Sequence, residues 1–390
     1  MSAKPVILFV EPVLCAHSIG YLRAILKNED LFKKYEVHFT FVDAGIADED
    51  TLVPLEEEFG SRFKAKRIEV TGKAAQPGQL AHLLKSWVVL KAVSSMVEEI
   101  GAEKICFLYA DFIVKLLGFP MVTGVFENLK GKVSGVFFNS RCFREQSPKS
   151  KILSSLINRG MKSELFRKIL FLDHGVVEGV REKVAAEGNP EIAKAVDPWS
   201  DIPTFEEVKS GDRKTLLCFG AHSIRKGTLG ILRMFRDFPR ELSKYHLLVA
   251  GPVRDEIREE FYELERGIRE GGGSIEVIDR YIEDQESWGL FHRSDIVLCP
   301  YVDFHGSSNV IIRSAALGLP VIGPDFGFIG ELIQQEKVGS VFPPEGESAE
   351  ILNAVVHITD RLEDDQGFYL ESCRKYADFH SENQYAPSFL

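Results

Sequence analysis

A chain of 390 residues, 45% hydrophobic and 27% charged, is too long for one ordinary hydrophobic core and too apolar to be disordered. Its net charge of −11 lacks the broad basic face that general nucleic-acid binding requires, so no nucleic-acid partner is expected. The six cysteines (Cys15, Cys106, Cys142, Cys218, Cys299 and Cys373) are scattered, with no C-x-x-C pair, which argues against a zinc site or a disulfide framework and for a reducing compartment.

In chain order, the apolar run 6–10 reads as a buried strand. It is too short for a signal core and is ended by Glu11 and Pro12. No later stretch reaches about 18 uncharged apolar residues, so the expected location is cytoplasmic, at most peripheral at the inner membrane face. A helix follows over about 18–26, then strands over 37–42 and 65–70. Residues 80–100 carry apolar side chains at helical spacing. Strands are predicted at 104–109, 133–138 and 169–172, with a helix near 112–117. Strand alternating with helix implies parallel strands joined by crossovers. The segment 196–212, with Pro198, Pro203 and several acids, reads as a linker.

The second half repeats the scheme with clearer punctuation. Strands are predicted at 215–219, 246–250, 275–278, 296–299 and 320–322, and helices at 227–236, 256–269 and 309–317. Three loops stand at carboxyl ends of these strands, where doubly wound domains place ligands. The first runs from Gly220 to Gly227. A glycine turn before a helix start offers free amides to a pyrophosphate, and Arg225 and Lys226 add charge; the plainer reading is a surface turn with solvated, exposed basic residues. The second holds His305, Ser307, Ser308 and Asn309, any of the last three able to cap the next helix. The third holds Gly327, Gly330 and Glu331, the acid reading equally well as a helix-opening residue.

Taken in order, these pieces resemble the donor domain of the GT-B family of retaining glycosyltransferases that use nucleotide sugars. The matching residues are Gly220 with Lys226 and Gly227, Gly251, the run 294–300, the run 315–321, Gly327 to Glu331, and 338–342. The resemblance covers residues 215 to 345 and implies two facing Rossmann-like α/β domains, with a final segment that crosses back to the first. The implied boundaries are 1–200, 201–375 and 376–390. It also implies transfer of a sugar from a nucleotide diphosphate with retention, no cofactor and no metal, and a glycan, lipid or small-molecule acceptor.

Two departures from the family pattern stand out: the arginine that usually follows the first glycine of the phosphate loop is Ala221, though Lys226 is retained, and a pair of acids is missing. The family's members carry a pair of glutamates around the capped helix, one meeting the transferred sugar and one the ribose. Here those positions hold His305 and Arg313. Arginine accepts no hydrogen bonds. The donor is then held differently, for instance by Asn309 and backbone, or the chain is a catalytically silent binding protein. An epimerase or phosphorylase on the same fold stays open, because fold alone does not separate these chemistries.

In the first half, Asp111 and Asn139 follow strands toward the expected cleft. Asp111 reads either as an acceptor contact or as a helix-capping acid. His17, Ser18 and Gly20 lie where the family's first loop approaches the donor phosphates, and His174 ends another strand. Segment 149–168 carries six basic residues against Glu164, with its apolar residues on one helical face. Such a helix either lies on an anionic membrane or packs its apolar face on the core.

Overall fold

The computed structural model describes residues 3–13, 16–43, 52–184, 190–199, 202–204, 213–365 and 367–390. The chain forms two compact units, one of Met1–Ser200 with Ser381–Leu390 and the other of Asp201–His380. Most of the segment read as a linker, 205–212 with 200 and 201, lies outside the described residues.

The first unit is a seven-stranded sheet: β1 (Val6–Glu11), β2 (Glu36–Asp43), β3 (Ala65–Glu69), β4 (Ala102–Phe107), β5 (Val133–Phe137), β6 (Phe166–Phe171) and β7 (Glu191–Lys194). The order is β3-β2-β1-β4-β5-β6-β7, every pair parallel. Both faces are covered, which is why its central strands read as apolar runs rather than alternations. Successive side chains leave opposite faces. Leu8 and Val10 enter one core with Ile105 and Phe107, while Ile7 and Phe9 enter another with Cys106 and Leu108. The second core also takes Tyr385 from the chain's last helix, Glu382–Ser388, and Phe389 just past its end. Arg167 holds this tail by its last carbonyls, bonding the Leu390 oxygen at 2.8 Å.

The second unit has six strands: β8 (Lys214–Phe219), β9 (Tyr245–Ala250), β10 (Ser274–Ile278), β11 (Ile296–Leu298), β12 (Val321–Pro324) and β13 (Gly339–Phe342). They are again all parallel, ordered β10-β9-β8-β11-β12-β13. In each sheet the order reverses direction once, between β1 and β4 and between β8 and β11. Loops leaving two neighbouring strands diverge at such a point and open a crevice.

One sequence expectation changes here. Segment 149–168 is not one helix: the helix is Pro148–Met161, and Arg167 and Lys168 lie on β6. Ile157, Met161 and Leu165 are buried in the core, so most of the apolar face packs inward. The helix Gln79–Ile100 is long and apolar enough to span a membrane, with a mean hydropathy of 1.3. Its Val89, Leu90, Val93, Met96 and Val97 are instead packed in the core of the first unit. Among the described cysteines, Cys106, Cys142, Cys218, Cys299 and Cys373 are free and buried.

Candidate functional site

The crevice of the second unit is built by glycines. β8 ends at Phe219, and Gly220 follows with φ +112°. Gly251, after β9, has φ +129°, and a Cβ there would stand 2.2 Å from the Gly220 carbonyl oxygen. Gly227 has φ +67° and caps the helix Thr228–Asp237; its Cβ would lie 1.7 Å from the Pro300 oxygen. The Val302 amide donates to the Arg225 carbonyl at 2.9 Å. The loop after β8 and the loop after β11 are therefore locked together by contacts that no side-chain-bearing residue at 227 would allow.

His222 anchors the first loop from below. It is buried, its Nδ1 is 2.8 Å from the Thr228 hydroxyl, and desolvation pushes its pKa down to about 4. Lys226 turns across the crevice. Its Nζ donates to the Tyr301 hydroxyl at 3.2 Å and lies 4.5 Å from that ring's centroid. The Tyr301 hydroxyl also shares a hydrogen bond with Ser308 at 2.7 Å. The expectation of an exposed Lys226 is thus corrected: the side chain is half-buried, and burial holds its pKa below the usual lysine range. Arg225 is exposed and stacks over Phe304 at 5.0 Å.

The helix Asn309–Ala316 starts at Ser308, but no side chain caps it, because the Ser308 hydroxyl is turned to Tyr301. Its first amides have no partner within the helix, as at any helix start. A positive side chain and a helix N-terminus thus meet at one strand end, which is the geometry of an anion site. The loop after β12 closes the group. Gly327, at φ +57°, would place a Cβ 3.1 Å from the Phe304 oxygen, and the ring of His305 lies against Phe326 at 5.1 Å. His305 Nε2 is 3.2 Å from Asp303, and its Nδ1 is buried without a hydrogen-bond partner among the described residues.

Other candidates go elsewhere. Arg313 does not face the crevice as a free cation. It bonds Asn309 at 2.7 Å, Ser287 and Asp284, and lies over Trp288 at 5.1 Å. Asn309 is engaged by the same contact. Glu331 does not open its helix; it sits in the middle of Gly327–Gln335. Asp111 neither caps a helix end nor presents a free carboxylate. Its oxygens accept the amides of Phe138 at 2.7 Å and Asn139 at 2.8 Å, and burial raises its pKa to about 6. His174 bonds the Ala195 carbonyl at 2.9 Å and is pushed down to about 4 by burial. Ser18 donates to the Val13 carbonyl, and the side chain of His17 lies outside the described residues. Tyr301 and Phe304 were not expected as site residues; the only sequence signal is that they leave the strand ahead of the small-residue loop.

At the switch point of the first unit, the end of β1 buries Glu11, whose carboxylate accepts the Val13 amide at 2.9 Å. Desolvation raises its pKa from 4.5 to about 7. The folded form then holds a proton that the unfolded chain has lost, so this group costs stability as pH rises from 4.5 to about 7, and fully above that. Glu11→Gln is expected to flatten the fall in stability across this window. Urea unfolding at both ends of it checks the claim, and an unchanged slope would refute it.

The two parallel-sheet units define the class of fold, which is that of GT-B structures. Residues 213–361 match the family model for glycosyl transferases group 1. The whole chain is similar in structure to the N-terminal domain of Candida albicans trehalose-6-phosphate phosphatase, at a TM-score of 0.67 and 13% identity, covering 99% of this chain and 96% of that one. It is similar to Thermosynechococcus elongatus sucrose-phosphate synthase at a TM-score of 0.65 and 13% identity, covering 98% and 94%. It is also similar to Anabaena HepE in complex with UDP and glucose, at a TM-score of 0.63 and 14% identity, covering 99% of each chain. No curated protein sequence matches the chain.

Proposed function

We propose that the protein transfers a sugar from a nucleoside diphosphate to an acceptor hydroxyl with retention of anomeric configuration. The observation that carries this is the link from Lys226 through the Tyr301 hydroxyl to Ser308 at a helix start. As the sugar's anomeric C–O bond breaks, its electron pair leaves with the diphosphate. Lys226, Arg225 and the first amides of Asn309–Ala316 would stabilise that charge in place, with no reorganisation during reaction. This reading needs no metal and no cofactor. The rest of the rate would come from holding donor and acceptor in register. Complexes of HepE with UDP and UDP-glucose make uridine donors the first to test. The acceptor is a glycan, a lipid or a small molecule. The domain division of the sequence reading, with a donor half at 201–375, belongs to the same proposal.

A second reading is favoured by Arg313, which fills the place of one missing glutamate and is bound to Asp284, Ser287 and Asn309. In this reading the site binds a nucleotide without turnover. A thermal-shift panel of nucleoside diphosphates and their sugars tests both. A ligand at a hundred times its Kd adds about 2.7 kcal/mol of stability. Binding with slow release of free diphosphate from the sugar donor supports transfer. Binding without any release supports the second reading, and no binding overturns both.

A further inference from the structure

We propose that the first unit docks on an anionic phospholipid surface through the helix Pro148–Met161 and the segment 118–125 that follows the helix Asp111–Leu117 and includes the short helix Pro120–Thr123. The two segments touch. A Cβ at Gly160 would stand 1.9 Å from the Val114 oxygen, and one at Gly118 would stand 2.6 Å from Leu156. Phe119 therefore leaves the contact next to Leu156, and Ile152 lies one helical turn before it.

The inward face of this helix already packs on the core, through Ile157 and Met161 with Leu153 against them. What remains outside is large and apolar. Met121 is 91% exposed, Ile152 73%, Val125 54% and Phe119 43%. Single exposed apolar side chains need no explanation, but here they stand on two segments that meet at Gly118 and Leu156, with Phe119 and Met121 leaving that contact on one side and Ile152 a helical turn from it on the other.

The charge on the helix and its C-terminal flank is one-signed. Between Glu145 and Glu164 the sequence holds Lys149, Lys151, Arg159 and Lys162 and no acid. All four basic residues are exposed, and none is in an ion pair among the described residues. The flanking acids are answered elsewhere, Glu145 by Arg141 and Glu164 by Lys130. In a chain of net charge −11, this is a local reversal of sign. A phosphate polymer would answer the cations and leave Met121 and Ile152 in water. A bilayer answers both: apolar tips enter the acyl boundary while long basic side chains reach the headgroups.

The inference is independent of the donor site, and its test uses lipid alone. The intact protein is sedimented with vesicles of phosphatidylcholine, with and without added phosphatidylglycerol. Binding is expected only with the anionic lipid and should fall as salt rises, since charges are screened within about 8 Å at physiological ionic strength. Lys149→Glu with Lys151→Glu should lower partitioning by about 25-fold or more, because each basic residue near such a surface contributes about fivefold. Met121→Ser with Ile152→Ser should lower binding at every salt concentration. These side chains are exposed, so both variants should keep the wild-type circular dichroism. Failure to bind anionic vesicles at low salt, or binding unchanged by both variants, overturns the proposal. So does a wild-type dimer in ultracentrifugation that Met121→Ser with Ile152→Ser converts to monomer, because the face would then be a self-interface.

Discussion

Lys226→Ala is expected to weaken nucleoside diphosphate binding by about 10- to 150-fold, the equivalent of roughly 1.5–3 kcal/mol for a hydrogen bond to a charged group. The magnitude rests on where the ammonium sits. It is held within reach of Tyr301 and a helix start, with its solvent already partly removed. A phosphate arriving there meets a donor that has paid its desolvation in the empty protein. The same fact sets the sign of the stability effect. Burial lowers the lysine's pKa, so the charged side chain costs stability at neutral pH, and that cost fades only as pH rises toward the unfolded value. Alanine removes the cost, and Tyr301 keeps its bond to Ser308. The empty variant should therefore melt no lower than the wild type. Calorimetry for affinity and a melting curve without ligand separate the two effects. Equal affinities for wild type and variant would place the diphosphate elsewhere; a large loss of stability would mean that Lys226 props the loop open rather than awaiting an anion.

The strands around this site were legible because parallel strands buried on both faces must be apolar along their length. The runs at 246–250 and 296–299 therefore fell within a residue or two of β9 and β11. The glycine positions were legible for a related reason. Gly220 and Gly251 at strand ends and Gly227 at a helix start all adopt positive φ, where another residue would be strained or would collide. Edges and short pieces were not legible. β7 is a four-residue edge strand, and the helix Glu29–Lys34 is held by an Asn28 cap rather than by an apolar stripe. The fate of Arg313 was beyond reach as well. Its partners Asp284 and Ser287 lie 29 and 26 residues away, on a helix that only the sheet order brings alongside. Tyr301 was missed because an aromatic residue leaving a buried strand reads as core, and this one is core on one side and a hydrogen-bond relay on the other.

The largest stability effect is expected from Arg144→Ala, in the first unit. Asp173 follows β6 and its side chain has no exposure to solvent. Its two oxygens are gripped by the Arg144 guanidinium, at 2.5 Å from Nε and 2.6 Å from the terminal nitrogen, and one also accepts the Gly175 amide at 3.1 Å. Arg144 itself is only 13% exposed, on the short helix Arg141–Arg144. Two charges taken out of water together are tolerable because each answers the other. Removing one leaves a carboxylate in a poor solvent, a loss of about 3–5 kcal/mol. Arg144→Ala should cost that amount in urea unfolding followed by hydrogen exchange of the β6 amides. Arg144→Met with Asp173→Leu should recover most of it, because a packed apolar pair replaces a buried ion pair at little cost. If the single variant lost under about 1 kcal/mol, water would have to reach Asp173 in its absence. If the double variant fared worse than the single, the pair would hold the end of β6 in place through its hydrogen bonds, above all that from Gly175, and not through charge alone.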